Sequence, residues 1–191
     1  MQDCSLTATD LSCRRGERLL FRGLSLTLAA GEAVQVAGAN GVGKSSLIRI
    51  LAGLLRPMAG TVERHGMVGL LDERPALDEH LPLGAALGFW TQLDPKSAPL
   101  DRLGLADLLD VPVRYLSTGQ RKRAGLARLI GQQAPVWLLD EPLNGLDTQA
   151  VALTEALVAE HCAQGGAAII ASHQSFVLPN LSQLDLADFA R

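Results

Sequence analysis

The chain is poor in lysine: of 191 residues only Lys44, Lys96 and Lys122 carry an ammonium side chain. With 17 basic against 20 acidic residues the formal charge is -3, and the sequence pI is about 5.8. A protein held on DNA or RNA by phosphate neutralisation needs the opposite balance, so nucleic acid is not an expected partner. No run approaches the roughly 18 consecutive apolar residues that span a bilayer. Runs such as Val136-Trp137-Leu138-Leu139 are strand-sized. The start also lacks the basic, apolar and small-residue succession of a signal peptide, so the expectation is a chain that does not itself cross a membrane. The cysteines, Cys4, Cys13 and Cys162, show no CxxC or Cys/His ligand spacing and read as reduced thiols. His65, His80 and His161 are scattered and suggest no metal site.

What is present suits one compact domain over residues 1–191. The hydrophobic fraction of 48% excludes intrinsic disorder. A charged fraction of 19% and a mean hydropathy of +0.18 fit a soluble domain that also docks on something apolar. Leu24-Ser25-Leu26-Thr27-Leu28 alternates with period two, predicting a strand in an N-terminal β region. Strand 33–37 leads straight into a glycine loop, and apolar residues at helical spacing over 46–55 follow, ended by Arg56-Pro57. From Glu73 the texture changes. Prolines 75, 82, 95 and 99 punctuate Leu/Ala-rich segments at 83–93 and 100–109, which predicts a small helical insert, about 74–133 with the helix at 118–132 included. A buried strand at 136–139, a helix at 150–162 and a second buried strand at 167–171 complete the pattern. Continuous apolar strands alternating with helices imply an α/β fold with a mainly parallel sheet covered on both faces. There is no internal repeat and no low-complexity linker.

The glycine loop carries the chemistry. Gly38-Ala39-Asn40-Gly41-Val42-Gly43-Lys44-Ser45, continued by Ser46, matches the P-loop pattern in full and has the strand before and helix after that it requires. Glycines let backbone N–H groups turn inward around phosphate oxygens, and the helix N-terminus adds a favourable dipole. Lys44 supplies charge to the β- and γ-phosphates, and the Ser45 hydroxyl can ligate Mg²⁺, so ATP and Mg²⁺ are the expected ligands. Strand 136–139 ends in Asp140-Glu141-Pro142. Ligands bind at the carboxyl edge of a parallel sheet, so Asp140 can join the Mg²⁺ shell and Glu141 can face an attacking water. His173 follows the next strand at the same edge, where a γ-phosphate would lie. Leu116-Ser117-Thr118-Gly119-Gln120 taken alone is a good helix start. The adjoining Arg121-Lys122-Arg123 reads as a solvated basic face.

In this order, with Asn144-Gly145-Leu146-Asp147 after Glu141, the motifs resemble those of ATP-binding cassette ATPases, over residues of about 5 to 175. The resemblance implies a P-loop ATPase core and two cassettes sandwiching two ATP molecules head to tail. Ser117, Thr118, Gly119 and Gln120 would then meet the nucleotide on the opposite P-loop, with Asn144 and Asp147 in the loop between. It also places Arg15 where an adenine-stacking aromatic is usual, and Glu73 where a glutamine is usual. Thr118 stands at a usual glycine, and Asn144 at a usual small residue. Segments such as Arg18-Leu19-Leu20-Phe21-Arg22-Gly23-Leu24-Ser25 and Ala134-Pro135-Val136-Trp137-Leu138-Leu139-Asp140-Glu141-Pro142 are similar to the haem-exporter ATPases of cytochrome c biogenesis. That likeness implies an ATPase subunit peripheral to the cytoplasmic face of a bacterial inner membrane. Its partners would be integral membrane transporter subunits docked near 73–95 and a second ATPase subunit, with haem as indirect cargo only. Other readings are a cassette for another cargo, a weakly active regulatory subunit, or a nucleic-acid-associated ATPase. The acidic balance and the lack of heptads between Ser45 and Leu116 weigh against the last.

Overall fold

A computed structural model describes residues 4–93, 96 and 98–190. Two sheets organise it. Strands β1 (Ser5–Arg15), β2 (Arg18–Ala29) and β4 (Ala59–His65) form an antiparallel sheet in the order β2-β1-β4. Strands β3 (Ala33–Ala37), β5 (Val68–Leu71), β6 (Val136–Asp140), β7 (Ala167–Ala171) and β8 (Leu181–Asp185) form a second sheet, β5-β6-β7-β3-β8, whose pairings are all parallel. The helices are α1 (Lys44–Leu51), α2 (Leu83–Thr91), α3 (Thr118–Gln132) and α4 (Thr148–Ala163).

The central strands β6 and β7 are buried on both sides because both sides are covered. Val136 and Leu138 of β6, with Ala167, Ile169 and Ala171 of β7, share a core with α1 and the antiparallel sheet. Their neighbours Trp137, Leu139, Ala168 and Ile170 share the other core with α2, α3 and α4. Burying a Leu or Ile side chain contributes roughly 1.5–3 kcal/mol, so this alternation dominates what fixes the central strands. Helix α3 crosses β5 closely: a Cβ added at Gly125 would come 2.5 Å from the Leu71 side chain, and one at Gly69 would come 2.4 Å from Leu129. Any larger residue at either position forces the facing leucine to repack in a buried interface.

The expected strands at 33–37 and 167–171 and the helix at 118–132 take those bounds, and the strand expected at 136–139 runs one residue further. Three expectations change. The first helix stops at Leu51 instead of running to 55, because Gly53 turns left-handed (φ +79°) and the N–H of Leu54 folds back to the Arg49 carbonyl at 2.8 Å. Segment 100–109 makes turns and a single 3₁₀ turn at Ala106–Leu108 instead of a helix. Its apolar side chains, Leu103 and Leu105, are buried singly, not along one helical stripe. The N-terminal strands are long, 11 and 12 residues, because β1 pairs on both edges and is bent by bulges after Ala8 and Leu11. Pro95 lies outside the described residues.

His161 is not an ordinary helix-face residue. Its ring stacks on Trp137 with centroids 3.9 Å apart and planes at 8°, and its Nε2 lies 3.2 Å from the Pro135 carbonyl. Burial depresses its pKa below 6.5. The unfolded chain therefore takes up this proton at higher pH than the folded one, and stability falls as pH drops below about 6.5. Thermal melts between pH 7.5 and 5.5 should show that fall, and His161→Phe, which keeps a stacking ring, should flatten it. An unchanged slope in the variant would remove His161 as the cause.

Candidate functional site

The site gathers at the carboxyl ends of β3, β6 and β7. As β3 ends, the chain wraps through Gly38, Gly41 and Gly43, all at positive φ (+137°, +79° and +121°), and enters α1 at Lys44. No side chain other than glycine's is comfortable there. A Cβ at Gly38 would sit 2.9 Å from Val42, and one at Gly43 would press on Leu20 and Phe21 at 3.2–3.4 Å. Ala39, Asn40 and Gly41 form the exposed rim, and the backbone N–H groups that open α1 have no side-chain cap. That is the geometry of an anion cradle.

Lys44 is 5% exposed, and its Nζ donates to the Gly38 carbonyl at 2.8 Å and the Ala39 carbonyl at 3.4 Å. The same Nζ lies 3.4 Å from Glu141 Oε1. One residue on, the Ser45 hydroxyl donates to Asp140 Oδ1 at 3.0 Å. The Asp140 carboxyl is buried, and that burial raises its pKa despite the Ser45 hydrogen bond. A buried carboxylate beside a hydroxyl in an anion cradle is a hard-oxygen donor pair that fits a magnesium ion.

Asp140 continues the alternation of β6, but Glu141 does not. Glu141 adopts φ +47°, its N–H donating to the Ala171 carbonyl at 2.8 Å. For a residue with a Cβ this left-handed conformation costs on the order of 1 kcal/mol or more. It turns the carboxylate so that Oε1 faces Lys44 and Oε2 lies 2.9 Å from His173 Nδ1. His173 is exposed; Glu141 is 8% exposed. A cleft of ≈ 620 Å³ opens here, between Gly38, Ala39, His173, Gln174 and Gln183.

The remaining expected residues lie around this centre. Ser117 caps α3: its hydroxyl oxygen accepts from the Gln120 N–H at 3.2 Å, and the Gln120 side chain accepts from the Ser117 N–H at 2.8 Å. The Ser117 hydroxyl proton stays free to donate. Thr118 is exposed and Gly119 half-buried. Asp147 caps α4 through the Ala150 N–H at 2.8 Å, and Asn144 accepts from the Gln174 side chain at 3.2 Å. Arg15 is exposed at the β1–β2 turn. It lies close enough to Cys13 to lower that thiol's pKa against its burial, and Cys13 in turn hydrogen-bonds Ser46. Glu73 is exposed just past β5, within electrostatic reach of Asp140 and Lys122.

The basic run after the signature is not a solvated face. Lys122 is 6% exposed and donates to the Glu141 carbonyl, while Arg123 donates to the Leu103 carbonyl at 2.9 Å. Burial lowers the Lys122 pKa, opposed by the carboxylates of Glu141, Glu73 and Asp140. Charge alone hid this, since three basic residues in a row look solvent-facing. The spacing of Lys122 to Leu126 and Leu129, four and seven residues on and so on the same face of α3, was the available signal.

A phosphate cradle with its lysine, a hydroxyl–carboxylate pair and a second carboxylate held by histidine define a P-loop ATPase. A family model described as ABC transporter matches residues 21–144. The chain belongs to the ABC transporter family, as one of its ATP-hydrolysing subunits, and within it the sequence is of the CcmA type. It is 61% identical over 189 residues to "Cytochrome c biogenesis ATP-binding export protein CcmA" of Novosphingobium aromaticivorans, covering 99% of each chain. To the protein of that name in Sphingopyxis alaskensis it is 50% identical, covering 94% of this chain and 95% of the relative. Among solved structures, an ABC transporter ATP-binding protein from Pyrococcus furiosus shares the fold at a TM-score of 0.82 and 20% identity, over 98% of this chain and 100% of that one. No described helix is long and apolar enough to cross a membrane.

Proposed function

We propose that the chain powers an export complex that handles haem in cytochrome c biogenesis. It would sit peripherally on the cytoplasmic face of the inner membrane, as a single ATPase domain whose 74–133 segment is a helical subdomain. Its similarity to cytochrome c biogenesis export proteins over 94% or more of its length supports an export role in that process. The observation that carries the mechanism is the convergence of Lys44, Ser45–Asp140 and Glu141–His173 on one sheet edge.

ATP phosphates occupy the cradle of residues 38–46, and Arg15 offers a flat cation for the base to stack on. Lys44 leaves its loop carbonyls and Glu141 for the phosphates, which frees the Glu141 carboxylate to take a proton from water. Ser45 and Asp140 would hold magnesium, whose charge would offset that of the phosphates. His173 keeps Glu141 aimed and faces the γ-phosphate. In a head-to-tail dimer the Ser117 hydroxyl and the first N–H groups of α3, with Thr118, Gly119 and Gln120, supply donors to the nucleotide on the second cassette. Asn144 and Asp147 shape the loop between, and Glu73 lies on the side facing the membrane subunits. Leu81, Phe89 and Leu93, 40%, 56% and 67% exposed, offer the apolar docking surface on and beside α2.

Purification from membranes tests this. Integral subunits that carry haem should accompany the chain, and ATP turnover should require the complex. A complex devoid of haem through assembly and turnover would overturn the cargo, leaving the ATPase reading intact.

A further inference from the structure

Helix α3 braces the loop that begins with Glu141 at two points on one face. Lys122 donates from its buried ammonium to the Glu141 carbonyl. One turn earlier Thr118 packs against Gly145, where an added Cβ would meet Thr118 Cγ2 at 3.1 Å. The Glu141 N–H is held by Ala171 and its carbonyl accepts from the Asn144 N–H at 3.3 Å; Lys122 adds a charged donor from another element to that same carbonyl, on the one non-glycine residue in this loop with a left-handed φ. The ammonium is also within electrostatic reach of the carboxylates of Glu141, Asp140 and Glu73, and with Lys44 it is one of two buried ammonium groups beside Glu141. A methionine would fill the same space without the cost of burying a cation; the cation is retained where a carbonyl and three carboxylates converge.

We infer that Lys122 is a positioning residue: by clamping the Glu141 carbonyl it fixes the left-handed turn that aims the Glu141 carboxylate at the attacking water, and it ties that carboxylate to the signature helix of the same chain. This rests on the reading of Glu141 as the residue that activates water. Since Ser117–Gln120 of α3 would face the second cassette's nucleotide, the clamp makes the carboxylate of one site answer to the occupancy of the other.

The test is ATP turnover by the complex purified with its membrane subunits. Misaiming a catalytic group by a fraction of an ångström to an ångström costs about 10- to 100-fold, so Lys122→Met should lower kcat by that factor with KM for ATP within about twofold. Lys122→Arg and Lys122→Gln, which keep a donor at greater and lesser reach, should restore most of the loss in at least one case, and all three variants should melt within a few degrees of the parent. In a Glu141→Gln background Lys122→Met should add nothing further. Unchanged kcat in Lys122→Met, equal losses in all three variants, or a parallel loss of ATP affinity would each overturn the inference. If Glu141→Gln itself left turnover intact, the reading of Glu141 would fall instead. Loss in Glu141→Gln with full activity in Lys122→Met would sink the clamp alone.

Discussion

Glu141→Gln in the assembled complex is expected to lower steady-state ATP turnover by about 10²- to 10⁴-fold, the range for removing a positioned general base. Glutamine matches glutamate in size, and its amide can still meet Lys44 and His173, which lie 3.4 and 2.9 Å from the two carboxylate oxygens. What it loses is the capacity to accept a proton. Nothing in the cradle of residues 38–46 changes, so ATP affinity should stay within a few-fold of the parent. With binding intact and hydrolysis blocked, an ATP-bound dimer should accumulate, visible as a shift in elution on size exclusion with ATP and magnesium. Undiminished turnover would show that some other group activates the water, and His173, 2.9 Å away, would be the first to examine.

The parts of this site legible from sequence are those whose geometry is local. The P-loop needs glycines at fixed spacing before a helix, and Ser117 with Gln120 three residues on writes its own capping box. Asp140 follows from the period of two along β6. Glu141 departs from it. Its left-handed turn is closed locally by the Asn144 N–H, which donates to the Glu141 carbonyl at 3.3 Å, but it is also held by Ala171 on the neighbouring strand and by Lys122 on α3, residues 30 and 19 positions away, and no local pattern encodes those two links. The same holds for Lys122, whose burial depends on where α3 lies, and for Asn144, whose partner Gln174 follows the histidine of another strand. The stop of α1 at Leu51 was local and legible, since Gly53 is a strong C-terminal signal that the apolar run to Leu55 outweighed.

These long-range links share one direction. Loop 141–147 is held by β7 through Ala171, by the histidine loop through His173 and Gln174, and by α3 through Lys122 and Thr118. Its carboxylate is therefore set by three separate elements of the fold. A site built this way can be tuned from outside without changing any residue that touches phosphate.

Asp140→Asn should separate activity from stability in opposite directions. Burial raises the Asp140 pKa, so the folded state binds that proton more tightly than the unfolded chain. The sign is the reverse of the common surface carboxylate: ionisation opposes folding, the penalty is fully present above the folded pKa, and acidification through that value relieves it. Asparagine removes the charge and keeps an oxygen to accept from Ser45, which now lies 3.0 Å from Oδ1. Without nucleotide, the variant should therefore melt higher than the parent at pH 7.5, with the gap narrowing as pH falls. Turnover should drop by about 10²-fold or more, because an amide is a poor magnesium ligand and the metal contributes several kcal/mol to the transition state. Magnesium should also lose its ability to raise the melting temperature of the ATP-bound protein, a readout independent of catalysis. A lower melting temperature at neutral pH would mean that the Ser45–Asp140 hydrogen bond outweighs the buried charge. Full turnover would remove Asp140 from the metal site.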